Sequence, residues 1–116
     1  MADQNHLDLL KQGKDAWNEW RRKNPHIQPD LGKASLRGAH LEGTDLTEAN
    51  LSDADLSGAE FTDASLIRAN LSGANLTLAC FRRADLREAN LSRADMRLAT
   101  LDEANLTGAD LTGTKK

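Results

Sequence analysis

The chain has 116 residues, which suits one domain; 39% are hydrophobic but only 3% aromatic, so any core must be assembled from many small side chains. A formal net charge of −3 is too mild to mark a nucleic-acid binder or a strongly acidic decoy. The single cysteine, Cys80, excludes an internal disulfide framework, no apolar run approaches the ~18 residues of a membrane span, and the start MADQNHLDLLKQGK lacks the basic and apolar regions of a signal peptide, so the cytoplasm is the expected compartment.

Residues 1–24 read as one capping helix, helical over 3–23. Leu7, Leu10, Trp17 and Trp20 recur near the ~3.6-residue period, flanked by Leu9 and Ala16. Asp3 or Asn5 suits the N-cap, while Arg21, Arg22 and Lys23 suit the negative end of the helix dipole. Asn24-Pro25 stops the helix, because the residue before proline avoids helical angles. Gly13 is its weak point, costing up to about 1 kcal/mol relative to alanine. Trp17 and Trp20 are the candidate cap residues, expected over Leu31, Leu36 and Leu41. The alternative role for the Trp pair is docking on a partner or a second copy. Residues 25–30 form a linker in which Ile27 is expected to tuck under the helix.

From residue 31 to 113 the chain repeats every five residues, and 114–116 form a short tail. The repeating apolar positions are Leu31, Leu36, Leu41, Leu46, Leu51, Leu56, Phe61, Leu66, Leu71, Leu76, Phe81, Leu86, Leu91, Met96, Leu101, Leu106 and Leu111. Two residues before each stands alanine in 15 of 17 cases, Pro29 and Thr44 being the exceptions, so the unit is Ala–(Asp/Asn)–Leu–x–x. A helix would scatter this pattern, since five residues overshoot a turn by ~140°. A strand would put alternate repeats on opposite faces. The period fits a chain that turns a corner every five residues with Leu and Ala kept inward, a solenoid whose units bury their apolar faces only against one another.

The repeat resembles the pentapeptide-repeat family, and the resemblance covers the array from Leu31 to Leu111. It implies an all-β solenoid, a right-handed quadrilateral β-helix of about four coils, here with an N-terminal α-helical cap. In that fold four repeats make one square coil and coils stack at roughly 4.8 Å. The family's central inward residue falls on the Leu31–Leu111 series and the second on Ala34 through Ala109.

Stacking residues twenty apart sorts the side chains into columns. Phe61 and Phe81 then share an inner column with Leu41 and Leu101, and Met96 joins Leu36, Leu56 and Leu76. On the outside, Glu48-Arg68-Glu88, Asp63-Arg83-Glu103 and Arg82-Asp102 are expected to pair across coils, each pair worth about 0.2–1 kcal/mol. Asn50-Asn70-Asn90 form an amide column able to hydrogen-bond along the stack. Residues 30–65 carry eight acids and two bases, whereas 66–113 carry six of each. Arg82, Arg83, Arg87, Arg93 and Arg97 fall on several faces, unlike the single basic stripe of a nucleic-acid groove, so no nucleic-acid partner is expected.

One outward position breaks the polar rule. Leu78 and Leu98 occupy the slot that other repeats fill with glycine or a charged residue, and they stack in adjacent coils, with Cys80 just beyond the corner and Ile67 on the next face. Leu78, Cys80 and Leu98 form the candidate interaction patch, although scattered exposed leucines are also ordinary.

Chemistry is harder to find. His6, His26 and His40 show no Ser-His-Asp or Cys-His arrangement, and no phosphate-cradling glycine loop is present. His40, Glu60 and Cys80 share an outward column, but its ends would stand ~9–10 Å apart by strand spacing, against metal-ligand bonds near ~2 Å. The expectation is a non-enzymatic, cofactor-free and metal-free rod that presents side-chain columns to a protein partner. A homodimer through the C-terminal coil or the N-terminal helix fits the uncapped end at ADLTGTKK. The alternative implied by the resemblance is a DNA mimic acting on a topoisomerase such as gyrase. By resemblance the source is bacterial, of cyanobacterial type.

Overall fold

The computed structural model describes residues 1–116, with principal extents of 35 × 26 × 23 Å. Fourteen parallel bridges join residues twenty apart, from Asp30↔Asn50 to Asp95↔Lys115. The all-β solenoid therefore appears as a ladder of isolated bridges rather than strands, because each side of the circuit is extended for only one bridge residue before it turns.

The turns explain the repeat. In each unit the alanine amide donates to the preceding leucine carbonyl three residues back, as in Ala69→Leu66 at 3.0 Å. The third residue of that turn is left-handed throughout, at glycines such as Gly58 (φ 68°) and at eleven non-glycine residues. The Asp or Asn before each leucine braces the same corner. Its Oδ1 accepts from the backbone N–H two residues on, as in Ser57→Asp55 at 3.2 Å and Ser92→Asn90 at 3.0 Å. Asp and Asn at this slot thus serve the corner rather than the column, although the corner also forms without them after His40, Glu60 and Cys80. The expected Asn50-Asn70-Asn90 ladder does not form, since those carboxamide oxygens are used locally, by Ser52, Ser72 and Ser92; the one bond along the column runs from Asn50 Nδ2 to Asp30 Oδ1, at 3.2 Å.

Between coils, each unit makes three backbone bonds, for example Leu66 N→Asp85 O at 2.7 Å, Arg68 N→Arg87 O at 2.9 Å and Asn70 N→Ala49 O at 2.9 Å. Inside lies one core in which Leu31 through Met96 of the repeating series are buried. Phe61 and Phe81 stack with ring centroids 4.9 Å apart and parallel planes. At the last rung the expectation of seventeen inward residues gives way. Leu101 is 37% exposed and Leu106 and Leu111 are half-buried, because no further coil covers them.

The N-terminal segment corrects the expectation of one helix. Two helices form, α1 (Gln4–Lys11) and α2 (Lys14–Lys23). The break falls at Gly13, whose φ of 109° is costly for any side-chain-bearing residue. Asp3 caps α1 by accepting from the Asn5 and His6 amides at 2.9 and 3.3 Å. Ile27 is exposed rather than tucked under a helix; its carbonyl instead accepts from Arg21 at 3.1 Å.

The break lets the helices reach two sides of the first coil. Trp17 Nε1 donates to the Asp45 carbonyl at 2.7 Å, Asn18 Oδ1 accepts from the Asp45 amide at 2.8 Å, and Arg21 donates to the Thr47 carbonyl at 2.6 Å. These are the three bonds a preceding coil would have made at that side. On another side, the Asp3 amide donates to the Asp30 carbonyl at 2.9 Å and the Asp30 amide donates to His6 Nδ1 at 3.0 Å. Trp17 is fully buried and Trp20 half-buried, with ring centroids 5.1 Å apart.

Candidate functional site

Leu78 and Leu98 lie at the left-handed turn position, with φ 62° and 64°. The other nine non-glycine residues at that position are all charged. A left-handed residue with a Cβ costs roughly 1–2 kcal/mol, and a long aliphatic side chain there gains no burial in return. Both leucines project outward, 63% and 79% exposed. With Thr77, Arg97 and Lys116 they line a shallow hollow of about 490 Å³. Leu98 also borders a second hollow of about 410 Å³ at the last rung, with Met96, Leu101, Leu106 and Leu111. The lateral patch and the exposed end of the core are therefore continuous at Leu98. Sequence reasoning missed this link, although the column of Leu78 and Leu98 runs toward the last rung.

Cys80 does not line the patch. It is half-buried, with its thiol 3.6 Å from the Thr62 hydroxyl, and bridges Glu60 and Thr100. Ile67 is half-buried on another side. His40, Glu60 and Cys80 do stack as bridge neighbours, but no group of three or more His, Cys, Asp or Glu side chains converges on a point that would hold a metal. No helix is long and apolar enough to cross a membrane.

The charged columns are partly as expected. Arg68 sits between Glu48 and Glu88 at 3.4 and 3.8 Å, and Arg83 grips Asp63 at 2.9 and 3.3 Å. Arg82 and Asp102 form no ion pair; nor do Arg83 and Glu103. Two pairs within single repeats were not foreseen: Arg87 on Asp85 and Arg97 on Asp95, each with a 2.6 Å bond. Arg97 lines the same hollow as Leu98, and its hydrogen bonds pull the Asp95 carboxyl down to about 2. Arg87 and Arg83 likewise lower Asp85 and Asp63, and the hydroxyls of Ser57 and Thr112 lower Asp55 and Asp110.

These folded carboxylates bind protons more weakly than in the unfolded chain, where aspartate titrates near ~3.9. The stability they add is complete above that value and is lost as pH falls toward about 2 for Asp95. The melting temperature should therefore be nearly independent of these groups above pH ~5 and fall between ~4 and ~2, by a small amount because solvent screens these exposed pairs. In carbon-detected NMR the Asp95 carboxyl should titrate lowest, and Arg97→Gln should return it toward the ordinary range. An unchanged titration in that variant would show that Arg97 is not the cause.

A family model described as pentapeptide repeats matches the chain in eight copies, over residues 30–63, 45–83 and 79–115. Among solved structures, the chain is similar to HetL, a pentapeptide repeat protein involved in heterocyst differentiation regulation from the cyanobacterium Nostoc sp. strain PCC 7120, at 39% identity and a TM-score of 0.72. That match covers 73% of this chain but only 39% of HetL, so the chain spans well under half of HetL's length. It is also similar to alr5209, a pentapeptide repeat protein from Nostoc PCC 7120, at 30% identity and TM-score 0.70, covering 87% of this chain and 93% of that one. Rfr23 from the cyanobacterium Cyanothece 51142 matches at 36% identity and TM-score 0.50, over 77% of this chain and 65% of its own. No curated protein sequence matches the chain.

Proposed function

Because the chain belongs to the pentapeptide-repeat family, whose fold is a right-handed quadrilateral β-helix, we propose that it is a non-enzymatic interaction module: a rod of a little over four coils, capped by α1 and α2, that presents Leu78 and Leu98 to a protein partner. The observation that carries this reading is that two leucines stand at a turn position otherwise held by glycine or charge. The left-handed turn is common to every repeat; what sets these two positions apart is an exposed aliphatic side chain, and two stacked in adjacent coils make an apolar patch on a polar rod. Arg97 and Lys116 flank the leucines, so the complementary surface is an apolar side chain with an acidic neighbour.

The test is to place a photo-crosslinking residue at position 78, identify the protein it captures, and measure that purified protein's affinity for the wild type and for L78D/L98D. Aspartate tolerates the left-handed region, so the rod should keep its circular dichroism and melting point. We expect at least a tenfold loss of affinity, about 1.4 kcal/mol. Equal affinity would remove the patch from the account. Replacing both leucines by asparagine should leave stability unchanged or raise it by up to about 1 kcal/mol.

Self-association is a second use of this end of the rod, through the last rung, or of the other end, through the outer face of the N-terminal helices, and light scattering across a concentration series separates it from capture of another protein. DNA mimicry is less well supported. Arg68, Arg83, Arg87 and Arg97 each bind an acidic neighbour, which breaks up the acidic columns a duplex mimic would need. Inhibition or protection of gyrase in a supercoiling assay would reverse that judgement.

A further inference from the structure

Helices α1 and α2 finish only half of the first coil's edge. The Asp45 N–H and C=O and the Thr47 C=O all have partners from the helical segment, as do the Asp30 N–H and C=O, though the Gly32 C=O does not. On the two sides between them, the Ser35 N–H and C=O, the Arg37 C=O, and the His40 N–H and C=O have no hydrogen-bond partner. One coil further on, the equivalent groups of Asp55 and Ser57 are all paired, at 2.8–2.9 Å. An open edge of this kind is a template for another strand.

We propose that residues 35–42 are a strand-docking edge for an extended, acidic segment of a partner protein. The rod's own register states what that segment must offer. Ser35 N–H needs a carbonyl from one residue, and the Ser35 and Arg37 carbonyls need amides two and four residues later, as Ala34, Leu36 and Gly38 provide for the next coil. The first of these positions must be small and the second large and aliphatic, because they point inward over Ala34 and Leu36. The inward space exists: a hollow of about 340 Å³ lies between the α1–α2 junction and the coil, bordered by Leu10, Leu36, Ala39 and Leu41. Lys11 lines the same hollow, Lys14 lies against Gly43, and Arg37 is exposed at the rim, so negative charge is favoured at the positions facing these three bases, while Glu42 beside His40 disfavours it at the far end of the edge. A whole rung of a second copy does not seat here, since α1 and α2 occupy the other two sides.

The probe is a capped ten-residue peptide with two small–polar–leucine units and glutamate at the other places, titrated into the full chain by amide NMR. We expect saturable shifts at Ser35, Arg37 and His40, and at least tenfold slower hydrogen exchange of the Ser35 and His40 amides. The same peptide N-methylated at both leucines lacks the donors to the Ser35 and His40 carbonyls and should bind at least tenfold more weakly; since only the peptide changes, folding of the protein is not at issue. L78D/L98D should bind the peptide as the wild type does, which separates this edge from the lateral patch. No shifts at millimolar peptide, equal binding of the N-methylated form, or shifts centred on Leu78 and Leu98 would each overturn the proposal.

Discussion

Replacing Trp17 by alanine should cost about 3–5 kcal/mol and lower the melting point by on the order of 10–20 °C. Trp17 is fully buried, its indole N–H is bonded to the Asp45 carbonyl at 2.7 Å, and its ring supports Trp20, which in turn packs on His6 at 4.9 Å. Alanine would remove the largest apolar burial at that end and leave a carbonyl of the first coil without a donor. Trp17→Phe keeps most of the bulk and isolates the second effect, which should cost about 1–3 kcal/mol. Trp20 is half-buried and makes no indole hydrogen bond, so Trp20→Ala should cost clearly less than Trp17→Ala. Urea unfolding followed by circular dichroism measures all three; equal losses for the two tryptophans would show that bulk alone holds the helices in place.

A comparable loss, again about 3–5 kcal/mol, is expected for Phe81→Ala, which would open a cavity beside Phe61 in the middle of the rod. The same column supplies its own control. Leu101 stands one coil further on but is 37% exposed, so Leu101→Ala removes less buried surface and should cost under about 1.5 kcal/mol. A double-mutant cycle of Phe61→Leu with Phe81→Leu should show about 0.5–1.5 kcal/mol of coupling from the stacked pair. Similar costs for Phe81→Ala and Leu101→Ala would mean that the last rung is covered in solution, and would point directly to self-association there.

The parts of this protein legible in sequence are those set by a strict period. The inward series, the Phe61–Phe81 stack and the Glu48–Arg68–Glu88 column all follow from counting twenty residues. What escaped counting depends on local geometry. Counting by twenty gave Asp85 and Asp95 no partner, because the arginines that pair with them, Arg87 and Arg97, stand two residues on within the same repeat. The Asn column failed for a related reason: the Asx corner takes the oxygens of Asn50, Asn70 and Asn90, and along the column Asn50 reaches only Asp30, at 3.2 Å. Gly13 was readable as a weak point in a helix; that it divides two helices depended on the positions of Asp30 and Asp45, which lie on different sides of the first coil. The candidate patch was legible at Leu78 and Leu98 because they break the pattern. Its continuity with the last rung, and the separation of Cys80 from it, required the third dimension.

The ladder of bridges twenty residues apart also sets how this chain can fold. Each rung needs only its predecessor, so the sequence separation closed at any step is fixed, and the entropy of loop closure does not grow as rungs are added. Folding can start at any coil and spread in both directions, as in a one-dimensional array. A longer rod of the same repeat would then assemble through steps no more distant in sequence than these, and it would unravel first from whichever end keeps the fewest rung-to-rung bonds.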